Sequence, residues 1–72
     1  MKLKQIEKIA NQVSKKYGMP APIVSKITNG QVEIRSELTS YEGGDELSDR
    51  ISKLDDSYIC ENQGGCVYIV YK

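Results

Sequence analysis

Ile23-Val-Ser-Lys-Ile-Thr-Asn-Gly-Gln-Val-Glu-Ile-Arg-Ser36 is the stretch on which the fold turns. Two runs that alternate apolar and polar residues flank Asn29-Gly30, the pair favoured in a two-residue type I′ turn because both central residues take positive φ. Such a stretch predicts a β-hairpin. Pairing Thr28 with Gln31 sets Ile27 opposite Val32, Ser25 opposite Ile34 and Ile23 opposite Ser36 on a core face. Lys26 then lies opposite Glu33 and Val24 opposite Arg35 on a face polar enough to meet water. A half-covered antiparallel sheet follows, and the rest of the chain is read for what covers it.

Upstream, Leu3, Ile6, Ile9, Ala10, Val13 and Tyr17 recur at three and four residues, which places them on one stripe of a helix over 3–17. Lys4, Lys8, Asn11 and Lys15 fall on its opposite side. Gly18 suits a left-handed C-terminal cap, and Pro20 and Pro22 prevent continuation. Downstream, residues 37–44 form a connection ending in Gly43-Gly44. A shorter helix at about 45–55 follows, with Leu47, Ile51 and Leu54 as its narrow apolar stripe and Glu46–Arg50 and Asp49–Lys53 as acid-before-base pairs at i, i+4. The last segment reads as a second hairpin, Ser57–Cys60 and Cys66–Tyr71 around the loop 61–65. The run Cys66–Tyr71 is apolar throughout, as in a strand interior to the sheet and covered on both sides, or one that carries Tyr on a face only partly covered. Together these predict one α+β domain over residues 1–72, in the order α-β-β-α-β-β, with a four-stranded, mostly antiparallel sheet and two helices on one face.

The composition bounds the chemistry. At 72 residues the core is thin, since a domain of this size buries only about 60% of the surface its unfolded chain exposes. The chain has no His, no Trp, no Phe and two Cys. One such chain cannot form a Ser-His-Asp triad, a Cys-His dyad or a four-ligand zinc site of the usual kind. Hydrophobic residues at 39% and charged residues at 28% are those of a folded protein. The start Met1-Lys-Leu-Lys-Gln-Ile-Glu-Lys8 lacks the apolar run of a signal peptide, and no stretch approaches the roughly 20 apolar residues of a membrane span. A cytoplasmic location is expected, where two cysteines stay as thiols.

Ten bases balance ten acids, yet they are not mixed. Residues 1–35 hold seven bases and two acids, a net +5, and residues 36–72 hold three bases and eight acids, a net −5. Either the halves neutralise one another in the fold or each offers a charged surface to a partner.

Four groups of residues are candidates for function. Cys60 and Cys66 bracket the second hairpin loop, and in one register they are cross-strand neighbours, with Tyr58 facing Tyr68 and Ile59 facing Val67. That geometry would suit a disulfide or a thiol pair for redox work, and a one-residue slip abolishes it. Lys4, Lys8 and Lys15 could follow the phosphate backbone of a nucleic acid. Tyrosine is the only aromatic present, and it suits half-wet binding surfaces. Tyr41, Glu42, Asp45, Asp55, Asp56 and Tyr58 gather around the second helix. Asp55-Asp56 stands at a helix C-terminus, where the dipole disfavours negative charge, unless an Asx-turn into Ser57 uses it.

The function expected is that of a small non-enzymatic binding protein, an inhibitor, adaptor or regulator, acting on another protein through this acidic, Tyr-bearing surface. A nucleic-acid module using the lysines and a thiol redox protein are the alternatives. No catalytic residue, metal or cofactor is expected, and no membrane partner. A homodimer through Val67, Ile69 and Tyr71 would require the last strand to lie at the sheet edge.

Overall fold

The structure is a computed structural model and describes residues 2–28 and 30–72. Helix α1 spans Leu3–Lys16 and buries Ile6, Ala10 and Val13, while Lys4, Lys8 and Lys15 are exposed on the other side. It ends in a Schellman motif. Gly18 takes φ 70°, its N–H donates to the Lys15 carbonyl at 3.1 Å, and the Met19 N–H donates to the Ser14 carbonyl at 2.8 Å. After Pro20 and Pro22 come β1 (Ile23–Thr28) and β2 (Gln31–Arg35). Helix α2 (Gly44–Leu54) leads to β3 (Ile59–Asn62), and β4 (Val67–Tyr71) returns between β2 and β3. The sheet order is β1-β2-β4-β3 with every neighbouring pair antiparallel, so the expected α+β architecture is observed.

Both helices cover one face of the sheet. Val32 and Ile34 of β2 and Tyr68 and Val70 of β4 alternate inward and join Ile6, Ala10, Val13, Leu38, Leu47, Ile51 and Tyr58 in a single core. The helices run antiparallel, with Lys16 and Tyr17 beside Glu46 and Gln12 beside Arg50. The i, i+4 pairs Glu46–Arg50 and Asp49–Lys53 are formed at 3.8 and 3.0 Å.

The first hairpin departs from the expected register. Thr28 pairs with Gln31, but the register then shifts, and Lys26 meets Val32, Val24 meets Ile34 and Ile23 meets Arg35. Ile27 is the extra residue of a bulge. One added residue flips every side chain beyond it to the other face. Val24 therefore packs against the core in place of Ser25, and Ile23 and Ile27 stand 64% and 48% exposed. The turn conformation expected at Asn29-Gly30 lies outside the described residues, since Asn29 is not among them.

The second hairpin is displaced further. Cys60 pairs with Val70 and Asn62 with Tyr68, so Cys60 and Cys66 are not opposite one another and both thiols are free. The turn falls later than expected. Gly64 and Gly65 adopt φ 102° and 58°, and the Gly64 N–H donates to the Asn62 side chain at 2.6 Å. That extends β3 through Glu61 and Asn62 and leaves Cys66 in the turn. Tyr58 accordingly does not face Tyr68. Strand β4 is interior, paired on both sides, so the edge that a dimer through Val67, Ile69 and Tyr71 would need does not exist.

Without Phe or Trp, the largest fully buried side chain is Tyr68, 1% exposed. Its hydroxyl donates to the Leu38 carbonyl at 2.8 Å and so ties the connection between β2 and α2 to the sheet. Gly44 lies against it: a Cβ there would stand 2.5 Å from the Tyr68 hydroxyl and 2.6 Å from the Thr39 carbonyl. Ser36, also buried, accepts from the Leu38 N–H at 3.1 Å and lies 3.4 Å from the Ser14 hydroxyl. Tyr68→Phe leaves the Leu38 carbonyl buried without its donor. A loss of about 1–3 kcal/mol is expected, read in thermal unfolding as a fall in Tm of roughly 4–8 °C per kcal/mol.

Candidate functional site

The connection from Ser36 to Gly43 holds one aromatic ring out in water. Thr39 accepts from the Gly44 N–H at 2.8 Å and from the Glu42 N–H at 3.2 Å through its carbonyl, and its hydroxyl accepts from the same Glu42 N–H at 3.0 Å. Behind this turn Leu38 is buried under the Tyr68 bond, and Gly43 abuts the Leu38 and Tyr17 side chains so closely that no Cβ would fit. The backbone is thus restrained from both sides, while Tyr41 at the tip is 95% exposed. Glu42 beside it and Asp45 in the first turn of α2 are exposed too. These three expected residues share one end of α2.

The other three stand elsewhere. Asp55 caps the C-terminal end of α2, about 16 Å from its start at 1.5 Å per residue. Its carboxylate accepts from the Ser57 hydroxyl at 2.7 Å and the Ser57 N–H at 2.9 Å, with Lys72 at 3.9 Å. The Ser57 bonds, with help from Lys72, hold its carboxyl below the usual range. This is the Asx-turn alternative, and it accounts locally for acid at a helix C-terminus. Asp56 is exposed beside it. Tyr58 is 3% exposed and belongs to the core, where its hydroxyl accepts from the Lys2 N–H at 3.0 Å. The six residues therefore do not form one patch, and Tyr58 presents no ring to a partner.

The two charged halves remain largely separate. Of the five ion pairs among the described residues, only Lys16–Glu46, at 2.8 Å, joins them. Glu46 is a local hub. It accepts from Lys16 and from the Tyr17 hydroxyl, and these bonds lower its carboxyl while raising the Lys16 and Tyr17 groups. Lys4, Lys8 and Lys15 are exposed on the outer side of α1 and enter no ion pair among the described residues.

Two surfaces escape the sequence reading. The first is an open groove of about 470 Å³ where the chain leaves α1, lined by Asn11, Lys15, Gly18, Met19 and Ala21. Met19, partly buried against the core, and exposed Ala21 line it where the chain leaves the Schellman turn. The second is the sheet face opposite the helices. Register places Ile23, Val67, Ile69, Tyr71 and Ile59 there, interspersed with the Glu33–Arg35 pair and with Glu61, which accepts from the Tyr71 hydroxyl at 2.7 Å. The bulge at Ile27, invisible in the alternation, is what turns Ile23 to this side.

The cysteines do not make a site. Cys60 packs partly against the core, where burial pushes its thiol up, and Cys66 is exposed in the turn just before β4. Among the described residues no three His, Cys, Asp or Glu side chains gather as a metal site, and no helix is long and apolar enough to cross a membrane. No family model, curated protein or solved structure matches the chain.

Alkylation of the native protein should modify Cys66 rapidly and Cys60 only slowly, the second thiol becoming equally reactive in denaturant. Two equally fast thiols, or none without reductant, would contradict this geometry. A second expectation concerns acid. The Glu46 carboxyl takes up its proton at lower pH folded than unfolded, so its contribution to stability is full above the ordinary carboxyl range near pH 4 and lost as pH falls through the folded value. Thermal unfolding of Glu46→Gln between roughly pH 3 and 6 should show a shallower acid decline than the parent.

Proposed function

We propose that the chain is a non-enzymatic binding protein, an inhibitor, adaptor or regulator, that acts on another protein through Tyr41, with Glu42 and Asp45 as an acidic border. One observation carries this reading: in a chain that recruits two tyrosines into its core, a third stands 95% exposed on a turn held from behind. Burying a large apolar side chain is worth about 1.5–3 kcal/mol, and that gain stays unused here until a partner supplies a pocket. Tyr also loses little rotational freedom on docking and is over-represented among residues that dominate binding energy.

The partner's chemistry follows from the same residues. It offers a pocket for a phenol ring and basic groups around it, since acid borders the ring and charge complementarity speeds and orients encounter. A standard interface takes about 800 Å² from each partner, roughly a fifth of the 4423 Å² of this molecule. Contact therefore extends from the turn along the outer side of α2, past Asp45 and Asp49.

A photo-crosslinking amino acid in place of Tyr41, introduced in the cell that makes the protein, tests the proposal. A discrete protein adduct is expected at this position and absent from the same residue at Gln63 in the second hairpin turn. It should weaken when Glu42 and Asp45 are changed to Lys. An identical adduct pattern at both positions, or none at Tyr41, would overturn the proposal.

A further inference from the structure

Beyond that protein contact, we propose that the outer side of α1 and the groove at its C-terminal end bind a single strand of nucleic acid, phosphates along Lys4, Lys8 and Lys15 and a base in the groove. Four observations support it together. The three lysines stand in line: at 1.5 Å per residue, Lys8 lies about 6 Å and Lys15 about 16 Å from Lys4 along the axis. They enter no ion pair among the described residues, although the molecule carries ten acids. A single ion pair among the described residues crosses between the two halves, Lys16 with Glu46, so no acid of residues 36–72 is drawn onto the three lysines. The line of lysines also leads into a concavity, since Lys15 and Asn11 form one wall of the groove and Met19 and Ala21 another.

The choice of polyanion follows from what surrounds the lysines. Their side of the helix carries Gln5, Asn11 and Gln12 and no large apolar residue, whereas a helix that binds a lipid surface inserts an apolar face. Glu7, the one acid of α1, is exposed on the flank of the lysine line and subtracts one charge from what a phosphate meets there. A flat base needs an apolar wall, which Met19 and Ala21 supply, and a polarizable thioether suits an aromatic ring. In a duplex the bases are stacked away from such a groove, so the groove selects a single strand. Tyr41 takes no part, and Tyr41→Ala should leave this binding unchanged.

The test is fluorescence anisotropy with a short dye-labelled oligonucleotide of mixed sequence, single-stranded and as a duplex. Neutralising three phosphates on a single strand gives a slope of log affinity against log salt of about −2. Binding should therefore weaken by roughly 20-fold between about 50 and 200 mM salt. Lys4→Gln, Lys8→Gln and Lys15→Gln should each lower that slope by about 0.7, and Lys53→Gln on α2 should not. Ala21→Glu, at an exposed position of the groove, should abolish the preference for the single strand, its fold checked by circular dichroism. Absence of binding at about 50 mM salt, slopes indifferent to the three lysines, a duplex bound as tightly as the single strand, or equal binding to polyglutamate or to anionic vesicles would each overturn the proposal.

Discussion

A single buried hydrogen bond, from the Tyr68 hydroxyl to the Leu38 carbonyl, organises this molecule. The chain has no Phe or Trp with which to fill its centre, so a tyrosine does, and a buried hydroxyl requires an acceptor. The acceptor it finds is the backbone of the connection between β2 and α2. That choice brings Leu38 into the core, leaves space at Gly44 for hydrogen and nothing larger, and fixes where α2 begins. The exposed ring of Tyr41 is a consequence: with the backbone secured on either side, the short turn between Thr39 and Gly43 has only solvent to point into.

The helices were legible because their signals are local. Ile6, Ala10 and Val13 fall on one stripe whatever lies below, and Gly18 terminates α1 by its own conformation. The strands depend on partners, and there the periodicity misleads. Ile23, Ser25 and Ile27 alternate well enough to be assigned to the core, yet one bulged residue sends Ile23 to the open face and Val24 inward. In the second hairpin Glu61 and Asn62, read from the sequence as loop, continue β3, and Gly64 and Gly65 close a tighter turn that takes in Cys66, so Cys60 meets Val70 and not Cys66. The unbroken apolar run of β4 pointed to an interior strand, and β4 does lie between β2 and β3, with Val67, Ile69 and Tyr71 half-buried on the face away from the helices.

The candidate site was half legible for a related reason. Tyr41, Glu42 and Asp45 lie close in sequence at a helix start and remain close in space. Asp55, Asp56 and Tyr58 group with them by nearness in sequence around α2, but an 11-residue helix holds its ends about 16 Å apart at 1.5 Å per residue. Tyr58 illustrates a general difficulty: in a chain where tyrosine is the only aromatic, the same residue type serves as core and as surface, and composition cannot sort one from the other. The lysines of α1 could be assigned to an outer face from periodicity alone. Whether acid would cover them depended on tertiary pairing, and among the described residues only Glu46 of the acidic half reaches across to a base of the other half, where it takes Lys16.

Tyr58 has one more consequence, topological in kind. Lys2 donates its backbone N–H to the hydroxyl of that ring, and the ammonium of Lys72 stands 5.3 Å from the ring centroid. One ring therefore holds Lys2 and Lys72 together, beyond the C-terminal end of α2 and at the opposite end of that helix from the turn that carries Tyr41. Loosening at that ring therefore frees residues 2 and 72 together, at the pole away from the turn that carries Tyr41.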